Sequence, residues 1–343
     1  MSEGQCRRRF NMLSSELTSP RIWLEKIAES FDAPIEANRV NVNPAQGKGY
    51  IEWHTIETGF DLMLTDIVPC EDFSFYREKS DYKGIMIKYL IETPAVCSFV
   101  DTDDEKHRIT EEGIVVSTSG YPETTLTKAG CRYKIAVFLL SFDLIRKYHD
   151  DRSFLLNTAI TEHPLFAFEK ASPMIQRLSL NLFLTNESDL PYKPFYIRAA
   201  AIELLVKIGG LFDYRKPVPF KTAVKNREDI NLLFRVRKRL TGHFENDRPT
   251  VQSLSGEFGI SPTKLKADFR LLFGKPIFCY FQEERMEFAK KLMETAQYSV
   301  SDVGYKVGYS NLSKFTAAYK KQFGFNPKET PALRESMSER DKR

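Results

Sequence analysis

The 343-residue sequence predicts an α+β protein, with an antiparallel β-rich body followed by an all-α region. Three observations support this class. Apolar residues alternate with their neighbours between about Val40 and Phe142, as strands require, and they recur at helical spacing after Ser141. A helical pattern then occurs twice near the C-terminus. The length suits at least two domains, each able to bury a core.

Alternation is clearest over residues 85–91 and 133–139, and glycines and prolines separate such segments. This order predicts an antiparallel sandwich or barrel, which we assign to residues 1–145. Such a body can hold a small ligand. The aromatic residues that could line its site are Trp53, Phe60, Phe73, Phe75, Tyr89 and Phe99. Each of them could equally be part of the core.

Residues 146–215 are predicted to be mainly helical. The segment YIRAAAIELLVKIGGLF places Ile197, Leu204 and Ile208 on one apolar stripe, and the helix is predicted to end near Gly209 and Gly210. The stripe could pack on the sheet or form a dimer interface. Residues 216–227, which are rich in proline and poor in large apolar side chains, are predicted to be a linker.

The net charge of +4 is divided unequally along the chain. Residues 221–343 contain 24 Lys and Arg against 15 Asp and Glu, whereas the remainder has 26 against 31. A basic C-terminal third suggests a polyanionic partner. No apolar run is long enough for a membrane span and the start lacks a signal peptide, so we expect a cytoplasmic protein with no membrane partner.

Catalytic patterns are missing from the sequence. The five histidines form no HxH or HxxxH pair, the five cysteines form no CxxC pair, and neither a phosphate loop nor a GxSxG elbow occurs. The sequence therefore predicts neither an enzyme nor a metal site, and it implies no cofactor.

The duplicated pattern is GISPTKLKADFRLLFG at 259–274 and GYSNLSKFTAAYKKQFG at 308–324, with one residue inserted in the second copy. Each copy predicts two short helices joined at a glycine, which permits a left-handed turn. Ser261 and Ser310 are the predicted caps of the second helices. Thr250 and Ser299 are the predicted caps of the first helices. These are the signals of two helix-turn-helix motifs.

The second helix of each motif has an apolar stripe for burial and donor side chains on the opposite face. A donor-rich face without an acid can enter the major groove and contact bases and phosphates, although any one lysine could be a solvated surface charge. The predicted DNA-binding residues are Pro262, Thr263, Lys264, Lys266, Arg270, Asn311, Ser313, Lys314, Lys320 and Lys321. Between the motifs, a helix from Pro276 to Thr295 would be about 30 Å long. Since one turn of B-DNA is about 34 Å, the helix could place both motifs in successive major grooves.

Residues from about 228 to 334 resemble the DNA-binding domain of AraC/XylS transcription regulators. The residues that carry the resemblance are Leu254, Gly259, Ser261, Leu265, Phe269, Gly274, Pro276, Tyr280, Arg285, Ala289, Leu292, Val300, Val303, Val307, Gly308, Tyr309, Phe315, Tyr319, Lys320, Phe323, Gly324 and Pro327. The resemblance implies a seven-helix domain at 228–335, followed by a tail at 336–343. It also implies binding to promoter DNA, usually as an activator, with RNA polymerase as a partner. The earlier part of the chain would be a cupin-like sensory body with a helical dimerisation region.

Two departures from that family pattern affect the expected site. Ala267 and Ala317 stand where members often have an arginine that contacts guanine. Recognition of the DNA sequence would then depend on other side chains, on the alanine methyl groups or on DNA shape. Thr330 and Pro331 replace a frequent tyrosine and arginine, which predicts a short last helix.

These features predict a sequence-specific regulator that binds double-stranded promoter DNA as a homodimer and responds to a small-molecule effector. Two alternatives remain. The regulator could be controlled by protein partners without a small ligand, or the body could be a cupin-type enzyme, which would bind stoichiometric metal.

Overall fold

A computed structural model of the chain describes residues 8–12, 20–77, 82–92, 96–98, 113–118, 123–148, 166–213, 227–245, 249–295 and 297–330. Contacts group the chain into two compact units. The first, here the N-terminal body, is Met1–Asn231 with Leu271–Gly274, and the second, here the C-terminal region, is Leu232–Arg270 with Lys275–Arg343. Strands dominate the body and helices the C-terminal region, which confirms the predicted α+β class.

The body contains two sheets. The larger has the order β12-β9-β7-β11-β5-β4-β3-β2, and its neighbouring strands are antiparallel. The smaller has the order β1-β6-β10-β8. The strands are β1 Arg8–Met12, β2 Ile35–Glu36, β3 Arg39–Asn41, β4 Gly47–Glu57, β5 Phe60–Pro69, β6 Phe73–Arg77, β7 Gly84–Glu92, β8 Val96–Ser98, β9 Gly113–Thr118, β10 Glu123–Thr127, β11 Tyr133–Ser141 and β12 Phe166–Glu169. The predicted antiparallel body is confirmed, except that β1 and β6 pair in parallel.

Strand β11 lies at the centre of the larger sheet, between β5 and β7. Phe138 pairs with Leu62 of β5 and with Ile87 of β7, and all three side chains are fully buried. Directly paired residues of neighbouring antiparallel strands point to the same face of a sheet, so these residues belong to one apolar face. That face carries the main hydrophobic cluster of the body.

Four helices accompany the sheets in the described part of the body. They are α1 Pro20–Ser30, α2 Phe142–Lys147, α3 Pro173–Glu187 and α4 Lys193–Asp213. Leu182 and Phe183 of α3, with Leu204 and Ile208 of α4, are buried in the same cluster as the sheet face. The predicted apolar stripe of α4 therefore packs on the sheet.

Helix α4 does not end near Gly209 and Gly210, as the sequence predicted, but continues to Asp213. Ile208 and Phe212 are one helical turn apart and both fully buried, so packing keeps the last turn helical despite the glycines. A second departure is β12, a strand within the region predicted to be helical. It pairs with β9, about 50 residues earlier, and a local period does not reveal such pairing. Most of the predicted linker lies outside the described residues.

The helices that follow are α5 Arg227–Thr241, α6 Val251–Phe258, α7 Pro262–Phe273, α8 Ile277–Glu294, α9 Val300–Lys306 and α10 Leu312–Phe323, with a 3-10 turn at Pro327–Glu329. The resemblance implied seven helices for residues 228–335, and the described residues from 227 onward contain six α-helices and this turn. Tyr319 and the buried Thr330 share a hydrogen bond of 2.7 Å between their hydroxyls. Across the described residues, no helix combines the length and apolar character that a membrane span needs.

A buried ion cluster links β5 to β11. The Asp66 carboxylate accepts hydrogen bonds of 2.7 Å from Nε and from Nη2 of Arg132, and Nζ of Lys134 lies 3.1 Å from it. Burial opposes ionisation of Asp66, but the bonds from Arg132 and Lys134 outweigh it and lower the pKa of the carboxyl. Folding therefore stabilises the ionised form of Asp66 relative to its protonated form.

We expect Asp66→Asn to reduce the free energy of unfolding of the body by about 3 kcal/mol at pH 7, because it leaves Lys134 buried without its carboxylate. Both tryptophans, Trp23 and Trp53, lie in the body, so tryptophan fluorescence during urea unfolding measures this change. The matched control is Asp143→Asn, which breaks an exposed ion pair with Arg146 and should cost less than about 0.5 kcal/mol.

A lowered carboxyl pKa contributes stability above the unfolded-state value, and this contribution disappears as the pH falls through the folded-state value. The difference between wild type and Asp66→Asn should consequently shrink below about pH 4. A difference that is constant from pH 7 to pH 3 would contradict this assignment.

Candidate nucleic-acid interface

The first helix-turn-helix motif, α6 and α7, has the predicted caps. The hydroxyl of Thr250 accepts a 3.0 Å hydrogen bond from the backbone N–H of Ser253, and Gly259 ends α6 in the left-handed conformation, with φ of 64°. The hydroxyl of Ser261 accepts from the backbone N–H of Lys264 at 3.3 Å, and Pro262 is the first residue of α7. The predicted caps Thr250 and Ser261 and the predicted turn glycine are therefore confirmed.

The second motif, α9 and α10, agrees with the prediction except at one cap. Ser299 and Asp302 form the predicted capping box. Helix α10, however, is capped by Asn311, whose side-chain oxygen accepts a 3.1 Å hydrogen bond from the backbone N–H of Lys314. The prediction of Ser310 as this cap is wrong. The inserted residue lies before the cap, within the turn, and asparagine caps a helix at least as well as serine does.

This correction fixes the equivalence of the two second helices. Ser261 corresponds to Asn311, Phe269 to Tyr319 and Gly274 to Gly324, a constant offset of 50 residues. Thr263 and Lys264 therefore occupy the same places in the first turn of α7 as Ser313 and Lys314 do in α10. Each helix begins with an exposed hydroxyl residue followed by an exposed lysine.

Helix α7 has one buried face and one exposed face. Leu265 and Phe269 are fully buried, whereas Thr263, Lys266 and Arg270 are exposed. The spacing of the exposed residues, with the half-buried Ala267 between them, follows the helical period of three and four residues. The polar stripe is therefore continuous over two turns.

Helix α10 has the same arrangement. Phe315 and Tyr319 are fully buried, and Ser313, Ala317 and Lys320 lie one turn apart on the exposed side. Asn311, Lys314 and Lys321 are also exposed. Of the ten predicted DNA-binding residues, nine are exposed and Pro262 is half-buried, and the ten lie at the start and along the outer faces of the two helices.

The basic side chains of these faces differ in their partners. Within the described part of the chain, Lys266, Arg270, Lys314 and Lys321 form no ion pair. Lys264 does, because its Nζ lies 2.6 Å from the carboxylate of Asp268, a mostly buried acid of the same helix. The residue of α10 equivalent to Asp268 is Ala318, so Lys314 has no such acid one turn away. The first turns of the two helices thus present the same residue types, a hydroxyl residue and a lysine, but the lysine of α7 is paired with an acid of its own helix and that of α10 is not.

Helix α8 joins the motifs and holds the turn of the second one. The guanidinium of Arg285 stacks on the Tyr309 ring at 3.8 Å, and its Nε donates to the carbonyl of Val307. The side-chain amide of Gln282 donates to the hydroxyl of Tyr309. With 18 residues, α8 is about 27 Å long, slightly less than predicted.

The same helix is fixed to the first motif by an aromatic contact. Tyr280 of α8 meets Phe269 of α7 edge to face, with ring centroids 5.5 Å apart. The buried Arg237 of α5 donates through Nε to the hydroxyl of Tyr280. Tyr280 and Arg285 were part of the family resemblance, but neither their partners nor the role of Arg237 followed from the residue pattern.

Gly308 is required at the turn that α8 holds. Its φ is 75°, and a Cβ atom at this position would lie 2.2 Å from the carbonyl oxygen of Phe244. Gly259 has a similar φ of 64°, but nothing lies within 4 Å of the corresponding Cβ. The two turn glycines are therefore alike in conformation and different in packing.

Three of the aromatic residues predicted to bind a ligand, Trp53, Phe60 and Tyr89, have described side chains, and these three do not line one cavity. Trp53 borders an open cavity of about 540 Å³ in the body, with His54, Phe195 and Arg198 among its other lining residues. Phe60 and Tyr89 are packed in the hydrophobic core. Phe99, and the side chains of Phe73 and Phe75, lie outside the described residues. In the described chain, no three His, Cys, Asp or Glu residues are grouped as a metal site would require.

Comparison with known proteins supports the assignment of the C-terminal region. Residues 254–332 match a family described as a helix-turn-helix domain. The chain is 30% identical over 113 residues to the HTH-type transcriptional regulator AlkR of Acinetobacter baylyi, covering 33% of this chain and 35% of AlkR. It is 30% identical over 171 residues to the virulence regulon transcriptional activator VirF of Yersinia enterocolitica, covering 49% of this chain and 59% of VirF.

A solved structure of a transcriptional regulator from Chromobacterium violaceum, described as containing an AraC-type DNA-binding domain, is 22% identical. It covers 32% of this chain and 96% of that chain, with a TM-score of 0.29. The chain thus spans between a third and three fifths of the length of the two curated relatives described above.

The C-terminal region is therefore a double helix-turn-helix domain. More particularly, the resemblance to the DNA-binding domain of AraC/XylS regulators seen in the sequence is confirmed for this part of the chain.

We expect Gly308→Ala to destabilise the second motif by about 3 kcal/mol or more, since it adds a backbone clash to a left-handed conformation. Gly259→Ala is the matched control and should cost only the conformational part, about 1 kcal/mol. Amide hydrogen exchange in α9 and α10 measures the first effect, and exchange in α6 and α7 the second. Equal effects of the two substitutions would contradict the role of the Phe244 contact.

Proposed function

We propose that the chain is a transcription regulator whose two helix-turn-helix motifs bind double-stranded promoter DNA. The observation that carries this proposal is the pair of equivalent helices, α7 and α10, each of which buries an apolar face and exposes hydroxyl and basic side chains. An exposed helical face of this composition fits the major groove and meets phosphates on either side. The names of AlkR and VirF describe transcriptional regulators, which agrees with this function.

Side chains in the first turn of each helix are our candidates for base contacts. Thr263 and Ser313 can donate to or accept from base edges, and Lys314 can donate to guanine. Ala267 and Ala317 lie in the middle of the exposed faces, where their methyl groups could meet the methyl group of thymine. Arg270 and Lys320, at equivalent places near the helix ends, are our candidates for phosphate contacts.

The length of α8 supports a site of two neighbouring grooves. At about 27 Å, the helix is somewhat shorter than one turn of B-DNA, about 34 Å, and the motifs attached near its two ends add to the reach. Because α8 contacts α7 through Tyr280 and the second turn through Arg285, both motifs have fixed positions on it. One chain would then contact two successive major grooves on one side of the duplex.

We further propose that the body pairs two chains through helix α4. Opposite its buried stripe, α4 exposes Phe195, Ile202 and Val206, with exposed fractions of 73%, 40% and 63%. With Ala199 they follow the helical spacing of four, three and four residues, so they form one apolar strip along the helix. Contiguous exposed apolar surface of this kind marks an interaction site more often than a free surface.

The remaining predicted roles complete this proposal. Residues 1–145 would be the sensory domain for a small-molecule effector, 146–215 the dimerisation region, 216–227 the linker and 228–335 the DNA-binding domain, which would act mainly as an activator through RNA polymerase. Pairing would double the length of DNA contacted by one regulator.

We expect the full chain to bind duplex DNA with an affinity that falls steeply as salt rises, because phosphate contacts release counterions. A specific duplex is obtained by repeated selection from a randomised library, and its dissociation constant is compared with that of a shuffled duplex by fluorescence anisotropy. Absent or salt-independent binding would contradict the proposed function.

In that assay, Lys314→Ala should weaken binding to the specific duplex by about 1–3 kcal/mol. The dissociation constants for the specific and the shuffled duplex should therefore become more similar. Lys266→Ala should do the same. Lys264→Ala should have a smaller effect, because the Lys264 ammonium is paired with Asp268. Lys207→Ala, on the exposed side of α4, is the control and should change nothing. Equal weakening on both duplexes would instead make Lys314 a phosphate contact.

We expect Val206→Glu to shift the wild-type dimer towards monomer, since it places a charge in the middle of the apolar strip. Sedimentation velocity at micromolar concentrations measures the two species. The matched control is Lys207→Glu, an exposed change on the same helix outside the strip. A monomeric wild type, or an equal response of both variants, would rule out pairing through this face.

A further inference from the structure

The open cavity of about 540 Å³ in the body lies where the hairpin of β2 and β3 stops covering strand β4. Residues Arg39–Asn41 of β3 pair with residues Tyr50–Glu52 of β4, and the backbone N–H of Trp53 then donates to the carbonyl of Asn38 at 2.9 Å. In the described part of the body, β3 does not reach the rest of β4, which continues to Glu57. Helices α1 and α4 border the space that remains.

The walls of this cavity are mainly apolar. The buried side chains of Leu24, Ile56 and Ile197 line it, and Phe195 of α4 adds an exposed aromatic ring. A volume of this size lies within the range of small-molecule sites, about 300–1,000 Å³, which combine apolar walls with a few polar groups. The polar groups of the lining therefore decide which ligand fits.

The polar residues of the lining are Asn38, His54, Thr55 and Arg198. The side-chain amide of Asn38 donates to the carbonyl of Trp53, and the hydroxyl of Thr55 donates to the carboxylate of Asp61 at 2.8 Å. Arg198 is exposed and forms no ion pair with any described residue. Arg198 and His54 are accordingly the groups with capacity left for a ligand.

A buried network fixes the ring of His54. The carboxylate of Glu52, which accepts a 3.0 Å hydrogen bond from Arg39, also accepts one of 3.0 Å from the side-chain nitrogen of Asn186. The amide oxygen of Asn186 therefore faces His54, and Nε2 of His54, 3.1 Å away, carries the hydrogen. A carboxylate oxygen of Glu52 lies 3.5 Å from the same Nε2, which favours a hydrogen there as well.

This arrangement leaves Nδ1 of His54 as an acceptor. Burial lowers the pKa of His54 below its usual value, so the imidazole is neutral at pH 7 and its Nδ1 has a lone pair. Nδ1 makes no hydrogen bond with any described residue, and it is not sealed from solvent. The side chain lines the cavity and is 14% exposed, so a donor group of a ligand can reach it.

We propose that this cavity binds a small aromatic acid that carries a hydroxyl group, with the hydroxyl donating to Nδ1 of His54 and the carboxylate meeting Arg198. The inference rests on the proposed sensory role of the body and names the chemical class of its effector. A phenolic hydroxyl is a suitable donor to a neutral imidazole, and the ring can pack against Phe195. The guanidinium of Arg198 is always charged and forms strong hydrogen bonds to carboxylates.

The test is isothermal titration of the full-length wild-type chain at neutral pH with three probes: 4-hydroxybenzoate, benzoate and phenol. We expect 4-hydroxybenzoate to bind with a millimolar or lower dissociation constant. Benzoate lacks the hydroxyl and should bind about tenfold more weakly, because the hydrogen bond to His54 is lost. Phenol lacks the carboxylate and should also bind more weakly than 4-hydroxybenzoate.

Two variants assign these differences to the protein. His54→Gln retains an N–H that can donate to Asn186 but lacks the acceptor at Nδ1, so it should weaken binding of 4-hydroxybenzoate about tenfold and leave benzoate unchanged. Arg198→Gln should weaken binding of 4-hydroxybenzoate and leave phenol unchanged. The control is Lys207→Gln, an exposed change on α4 outside the cavity, which should alter the binding of no probe.

The proposal is overturned if 4-hydroxybenzoate does not bind, if benzoate binds equally well, or if His54→Gln affects the two acids equally. An unchanged affinity of Arg198→Gln for 4-hydroxybenzoate would overturn the assignment of the carboxylate to Arg198. The comparison of 4-hydroxybenzoate with benzoate uses the wild-type chain, so it decides the matter even where a variant does not fold.

These measurements do not involve DNA, so they are independent of the DNA-binding test. Probe binding without DNA binding would support the ligand site and remove the regulatory role. DNA binding without probe binding would overturn the ligand site and would favour control by protein partners.

Discussion

The attachment of two helix-turn-helix motifs to one helix is the constraint on which the C-terminal region depends. Tyr280, near the start of α8, packs against Phe269 of the first motif, and Arg285, five residues later, holds the turn of the second through Val307 and Tyr309. Gly308 makes this turn possible, because any larger residue would meet the Phe244 carbonyl. The spacing of the two exposed helices is therefore set by packing around α8.

Burial of one face then decides what each of these helices can present. Leu265 and Phe269 in α7, and Phe315 and Tyr319 in α10, fix the rotation of each helix. The hydroxyl and lysine of the first turn are exposed at equivalent places as a consequence. In these first turns, charge distinguishes the two faces, since Asp268 neutralises Lys264 whereas Lys314 has no such neighbour. The second motif would accordingly be the more attractive one for a phosphate or a guanine.

In the body, helix α4 likewise has one buried face and one exposed face. Helix α4 buries Ile197, Leu204 and Ile208 against the sheet and exposes an apolar strip on its other side.

The sequence by itself determined the α+β class, the strands around residues 85–91 and 133–139, and the two motifs with their turn glycines. These features depend on local chemistry, namely period, capping and backbone freedom, which act within a few residues. Tertiary structure decided the rest. Packing of Phe212 carried α4 past two glycines, β12 formed through pairing with a distant strand, and the insertion moved a cap from Ser310 to Asn311. The roles of Arg237 and Arg285 depend on contacts between residues far apart in the chain, and a local pattern carries no information about such contacts.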